Sequence, residues 1–146
     1  MENIEYSNNV IERCTYAIEY VNSQPEELGL MKNVRIYGNI LAGSGDGFGK
    51  QRPARQGAVI KGWNHINRSE NFVISDNIIS SGEGAALAQF GVGRMSFLPV
   101  IANNVFIGKK GTKFGNYGKI PAELYYFNED LPNLTVGLSD NTFIFK

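Results

Sequence analysis

One cysteine, one histidine and one tryptophan occur in 146 residues. A lone Cys14 excludes an internal disulfide and a thiolate metal cluster, and a lone His65 excludes a site built on several imidazoles. Neither sign of charge is in excess, because Lys+Arg 14 balances Asp+Glu 14. Binding to nucleic acid or to an anionic membrane needs a clustered basic surplus, so neither is expected as a partner. No apolar run approaches the roughly 18–20 residues that span a bilayer. The opening Met-Glu-Asn-Ile-Glu carries no basic start and no apolar stretch of the kind a signal peptide needs. What the chain does have is turn chemistry, with 17 glycines and sixteen asparagines. Both residues tolerate left-handed backbone and disfavour helix interiors.

Much of this asparagine falls into a repeat. Five segments share one frame: Ile4–Ile11, Val34–Leu41, Phe72–Ile79, Pro99–Phe106 and Val136–Phe143. Each begins with alternating apolar residues, meets a small or polar residue (Asn, Gly or Asp), then an asparagine, then a second apolar stretch. The aligned asparagines are Asn9, Asn39, Asn77, Asn104 and Asn141, spaced by 30, 38, 27 and 37 residues. Alternation of period two predicts strands with one buried face. The dipeptides Asn-Asn, Gly-Asn and Asp-Asn mark sharp turns through left-handed backbone.

A weaker strand is expected about eight residues after each asparagine. It falls at Tyr16–Tyr20, Asp46–Gly49, Gly84–Gln89 and around Lys113-Phe114-Gly115. Spacings that vary while the frame holds place insertions on one side of a stack of units. One rival concerns the first unit, where Val10, Ile11, Cys14, Ala17, Ile18 and Val21 also fall at helical spacing. Taken alone, residues 9–21 read as an amphipathic helix capped by Ser7, Asn8 or Asn9. The other four frames argue for strand.

The frame resembles the right-handed parallel β-helix of the pectate-lyase-like superfamily, over about residues 3–145. The resemblance implies an all-β, single-stranded solenoid of about five coils, one domain over residues 1–146, with the five asparagines stacked as a ladder. It also implies a secreted or cell-surface protein that processes a polysaccharide as lyase, hydrolase or epimerase. A strand at Ile4 and an uncapped Phe143-Ile144-Phe145 lead to the expectation of a C-terminal fragment. Either the remaining β-helix coils or a homo-oligomer would then cover the ends.

The longest insertion, Lys50–His65, gathers Arg52, Arg55, Lys61, Trp63 and His65. Arg and Lys pair with uronate carboxylates, and an indole offers a platform for a sugar ring. These residues are therefore candidates for binding a polysaccharide or oligosaccharide. A second reading packs Trp63 and Val59-Ile60 onto the core and leaves the arginines solvated. Asp46 and Glu83 lie seven and six residues after their asparagines. On adjacent coils about 4.8 Å apart they would form a carboxylate pair of the spacing glycoside hydrolysis uses. Lys61 or Arg55 is the candidate base of a lyase, given a strong environmental pKa shift.

No cofactor is expected. The resemblance admits Ca²⁺, but Glu26-Glu27 and Glu129-Asp130 sit in other loops and no acidic cluster is visible. Gly43–Gly49 is not a phosphate loop, because it lacks the terminal Lys-Ser/Thr and opens no helix. Gly108–Lys113 reads as a solvated basic turn, and Tyr117, Tyr125, Tyr126 and Phe127 as a loop covering the stack. A non-catalytic carbohydrate-binding or spike-like surface module is the alternative function.

Overall fold

The computed structural model describes residues 1–22, 31–44, 58–64, 69–81, 86–92, 100–109, 112–116, 124–127 and 138–146. Among these residues every regular element is a β-strand. The first unit contributes β1 (Glu2–Ser7), β2 (Val10–Glu12) and β3 (Ile18–Asn22). The second contributes β4 (Met31–Tyr37), β5 (Ile40–Ser44) and β6 (Ala58–Asn64). The third gives β7 (Ser69–Ser75), β8 (Ile78–Ser81) and β9 (Ala86–Val92). The fourth gives β10 (Val100–Ala102), β11 (Val105–Gly108) and β12 (Thr112–Asn116). Last come β13 (Leu124–Phe127), β14 (Leu138–Ser139) and β15 (Thr142–Phe145).

Three five-stranded sheets collect one strand from each unit. Sheet A runs β1-β4-β7-β10-β14, sheet B β2-β5-β8-β11-β15, and sheet C β3-β6-β9-β12-β13. Pairing is parallel throughout, except that β13 folds back antiparallel on β12. The helical alternative for residues 9–21 is excluded, since β2 and β3 occupy that stretch. Two other expectations are corrected. In the second unit the sheet C strand is Ala58–Asn64, inside the presumed insertion, whereas Asp46–Gly49 lies outside the described residues. Tyr125, Tyr126 and Phe127 belong to β13 and not to a covering loop, and Tyr117 lies outside the described residues.

The turn from sheet A to sheet B has one chemical rule. The residue before each aligned asparagine has positive φ: Asn8 at 56°, Gly38 at 65°, Asp76 at 56°, Asn103 at 56° and Asp140 at 54°. Asn, Asp and Gly are the residues for which this costs least. The left-handed residue redirects the chain within two positions, so an extended strand leaves sheet A and another enters sheet B. A Cβ added at Gly38 would lie 2.7 Å from Asn8 Oδ1, so the turns of neighbouring units stack closely.

Four residues beyond the first asparagine, Arg13 is also left-handed, at 55°, and Gly43 at the same place in the second unit has φ 57°. An L-residue there sacrifices roughly 1–2 kcal/mol that glycine does not. Glycine adds back about 0.5–1 kcal/mol of unfolded-state entropy. Arg13→Gly is therefore expected to raise the free energy of unfolding by about 0.5–1 kcal/mol. A fall in the denaturant midpoint would contradict this assignment of strain.

Inward positions repeat from unit to unit and so stack in rows. One row in sheet A is Ile36, Ile74 and Ile101, and one in sheet B is Leu41, Ile79 and Phe106, all buried. Val59 and Ile60 of β6 close the core from sheet C. Each such side chain contributes about 1.5–3 kcal/mol on burial. The outer units are less covered, and Ile4, Ile11, Ile18, Tyr20 and Phe143 are half-buried. Beside the first unit lies a half-open cavity of about 430 Å³, lined among others by Ile4, Ile18, Tyr20, Val34 and Phe72. Burial there pushes the Tyr20 hydroxyl pKa up from its ordinary value.

Candidate functional site

The aligned asparagines organise the molecule before any ligand is considered. Asn9 Nδ2 donates to Asn39 Oδ1 at 3.1 Å, Asn39 to Asn77 at 2.9 Å, Asn77 to Asn104 at 2.9 Å, and Asn104 to Asn141 at 3.1 Å. Each acceptor oxygen also takes the preceding asparagine's backbone N–H, at 2.9–3.0 Å. The amide nitrogens reach backbone carbonyls as well, such as Asn77 Nδ2 to Ile36 O and Asn104 Nδ2 to Ile74 O. Backbone partners on both sides fix each amide's orientation, so the row has one polarity. A bend that leaves peptide groups without strand partners is satisfied by stacked amides.

A second row, not anticipated from sequence, runs along sheet A. Asn33 Nδ2 donates to Asn3 Oδ1 and Asn71 Nδ2 to Asn33 Oδ1, each at 2.9 Å. All three asparagines have positive φ within their strands. Their signal was legible, since they repeat at 30 and 38 residues like the first row but precede the frame by one position.

Of the candidate ligand-binding residues, Lys61 and Trp63 fall on β6. They are two positions apart on that strand. Their partners on β3 are Glu19 and Val21, and on β9 Gln89 and Gly91. Glu19 is exposed. One transverse row of sheet C is thus Glu19-Lys61-Gln89, with anion, cation and amide at strand spacing of about 4.8 Å. The next row is Val21-Trp63-Gly91.

These rows bring into register residue types that recognise hydroxyls, a carboxylate and a sugar face. Among the described strands of sheet C the single carboxylate is Glu19. Two-carboxylate hydrolysis therefore has no pair on those strands. Asp46, Glu83, Arg52, Arg55 and His65 lie outside the described residues. Val59 and Ile60 are buried, as the packing alternative for that segment required.

A polar cluster on the outer face of sheet A was also missed in the sequence. Glu5 Oε1 accepts from Ser7 Oγ at 3.3 Å and from the Tyr37 hydroxyl. The Arg35 guanidinium lies 4.9 Å from the Tyr37 ring centroid, and Glu5 and Arg35 are register partners. Beside it Lys32 pairs with Glu70 at 3.7 Å and is in register with Glu2. These groups answer one another across neighbouring strands. Exposed pairs of this kind are worth about 0–1 kcal/mol. The cluster clips the first two units together, and its Tyr37 ring has one face occupied by Arg35. The signal was the shared place of Glu5 and Arg35 in the repeat frame.

Among the described residues no three His, Cys, Asp or Glu side chains gather as a metal site. Among the same residues no helix is long and apolar enough to cross a membrane. Compared with protein-family models, with curated proteins and with solved structures, the chain matches none.

Proposed function

We propose that the three sheets wind as a right-handed parallel β-helix with an asparagine ladder, and that its sheet C flank binds a glycan. The strand orders support the winding, because each sheet takes every third strand through the first four units. Parallel strands joined by a crossover are right-handed in nearly all sheets, which supports the hand. The chain then acts as a carbohydrate-binding solenoid module of a secreted or cell-surface protein. Its ligand is a polysaccharide or oligosaccharide, uronate-containing or neutral.

The observation that carries this reading is the alternation of Lys61 and Trp63 on β6, with Glu19 and Gln89 in register beside the lysine. Trp63 supplies the ring platform and Lys61 the carboxylate partner. Glu19 and Gln89 serve sugar hydroxyls. A polysaccharide lyase, hydrolase or epimerase could hold its substrate by the same face, and turnover separates the two cases.

Calorimetric titration with an oligouronate and a neutral oligosaccharide of equal length tests the proposal. Trp63→Ala is expected to weaken both ligands at least about tenfold, or 1.4 kcal/mol. Lys61→Ala should weaken only the uronate, by a few-fold and more at low salt. Binding that neither substitution alters would place the ligand elsewhere. Turnover by the parent chain that Lys61→Ala abolishes would make the face catalytic.

A further inference from the structure

The outer faces of sheets A and B differ in charge. Sheet A carries Glu2, Glu5, Lys32, Arg35 and Glu70, which answer one another across strands. On the described strands of sheet B the one charge is Glu12. Its outward positions alternate with the buried row of Leu41, Ile79 and Phe106, and they form an aliphatic row of their own: Val10, Ile40, Ile78 and Val105, in register. Val10 is 66% exposed, Ile40 40% and Ile78 44%. Two positions past Thr142 on β15, Ile144 is 45% exposed, in register with Ile107. An aliphatic surface across five strands, about 24 Å by 13 Å at strand and residue spacing, is of the size that marks an interaction site.

Strands that continue the ladders would not cover this face. Units added before β2 or after β15 stack on strand edges, so they lengthen the row and leave its side chains outward. The links that leave sheet B are mostly too short to fold back across it. Residues 13–17 join β2 to β3, residues 82–85 join β8 to β9, and residues 109–111 join β11 to β12. Three to five residues reach at most about 10–18 Å, and that reach is used in arriving at sheet C. The longer link, residues 45–57, holds a single large apolar side chain, Phe48, among glycines and charged residues. One ring does not displace water from a row that crosses five strands.

The charges at the margin of the face select its occupant. Glu12 lies at the first unit, two positions past Val10. Lys109 and Lys146 lie at the fourth and fifth units, two positions past Ile107 and Ile144. The Lys146 N–H still bonds Gly108 O at 3.0 Å, so the ladder and its alternation continue to that point. All three side chains are exposed. We infer that two copies of this chain pack sheet B against sheet B, face to face, about a two-fold axis parallel to the strands. That axis turns one copy end for end along the stack. The first unit of each copy faces the fifth of the other, and Ile78 on the middle strand meets Ile78. Glu12 of each copy then meets Lys109 and Lys146 of the other, while the uncharged rows cover each other. A two-fold axis along the stack would instead set like charges at like ends. A different partner that brought a charge into the middle of the row would leave it unpaired there. The face is small for a stable interface, so the dimer is weak and forms as concentration rises.

Sedimentation equilibrium on the chain, from about ten micromolar to about a millimolar, tests this. The parent is expected to show a monomer–dimer equilibrium and nothing larger, because a two-fold contact closes on itself. Ile78→Lys sets two lysines against each other at the axis and should raise the dissociation constant at least about a hundredfold. Val100→Lys replaces a residue that is 52% exposed on sheet A, away from the face, and should dimerise like the parent. Glu12→Lys should weaken the dimer several-fold, and adding Lys109→Glu and Lys146→Glu to it should restore the parent affinity. Should Ile78→Lys lose its β-type circular dichroism, Ile78→Thr decides, since it keeps the β-branch and should weaken the dimer about tenfold. A chain that stays monomeric to about a millimolar would overturn the inference. So would association that the Ile78 substitutions leave unchanged, oligomers larger than the dimer, or a triple charge swap no tighter than Glu12→Lys.

Discussion

Replacing Asn77 with alanine is expected to remove about 3–5 kcal/mol of stability, a large share of the roughly 5–15 kcal/mol a domain possesses. Asn77 is 1% exposed and sits mid-ladder. Its oxygen accepts Asn39 N–H at 3.0 Å and Asn39 Nδ2 at 2.9 Å. Its nitrogen donates to Ile36 O at 3.0 Å and to Asn104 Oδ1 at 2.9 Å. Alanine would leave the Asn39 N–H and the Ile36 carbonyl buried without those partners, and each such group costs about 1–3 kcal/mol. Asn104 Oδ1 keeps the Asn77 N–H, and Asn39 Nδ2 keeps two carbonyls, which bounds the loss.

The end of the row provides the control. Asn9 is half-buried and its oxygen accepts from none of the described residues, so Asn9→Ala should cost only about 1 kcal/mol. Equilibrium unfolding in urea measures both. Equal losses at the two positions would mean that the amides do not act as a cooperative row.

Phe72→Ala is expected to cost about 3–5 kcal/mol by a different route. The ring is 1% exposed, lies 4.7 Å from the Tyr20 ring, and forms one wall of the cavity beside the first unit. Its removal enlarges a space that already exists, and its strand is held in parallel register on β4, with Val34 as its partner. The site therefore cannot collapse, and the cavity contribution adds to the lost transfer energy. Phe143→Ala, half-buried and stacked on Phe106 at 5.4 Å, should cost roughly half as much. Thermal unfolding of the two variants separates them, and a smaller loss at Phe72 would show that the first unit repacks.

The sheet A to sheet B turn was legible in the sequence because it imposes side-chain chemistry at two adjacent places. Left-handed φ admits Asn8, Gly38, Asp76, Asn103 and Asp140 cheaply, and the next residue must carry both a donor and an acceptor. Few residues meet either demand, so the frame stands out across insertions of different length. Sheet C was harder to read. Its strands need only fit a pleated surface, and β-propensity is a weak constraint. In the second unit the pattern points to Asp46–Gly49 and leaves Ala58–Asn64 within the insertion, although Val59 and Ile60 are the residues that fill the core. The antiparallel β13 was hidden for a similar reason, since aromatic residues suit a strand and a covering loop alike.

The candidate site follows the same division. Lys61 and Trp63 were picked out by residue type, but their neighbours Glu19 and Gln89 depend on register, which sequence alone did not supply. The Glu5–Tyr37–Arg35 cluster needed the repeat frame to be read across units for charge as well as for apolar residues.

Trp63 is the only tryptophan in the chain, so its fluorescence reports on this face without labelling. The most direct measurement is an emission titration of the parent chain with an oligouronate, repeated with a neutral oligosaccharide. Glycan binding at sheet C predicts a saturable shift or quench of emission, with the uronate response weakened by added salt. Emission that stays unchanged to millimolar ligand, while calorimetry records binding, would move the site away from Trp63 and contradict the account.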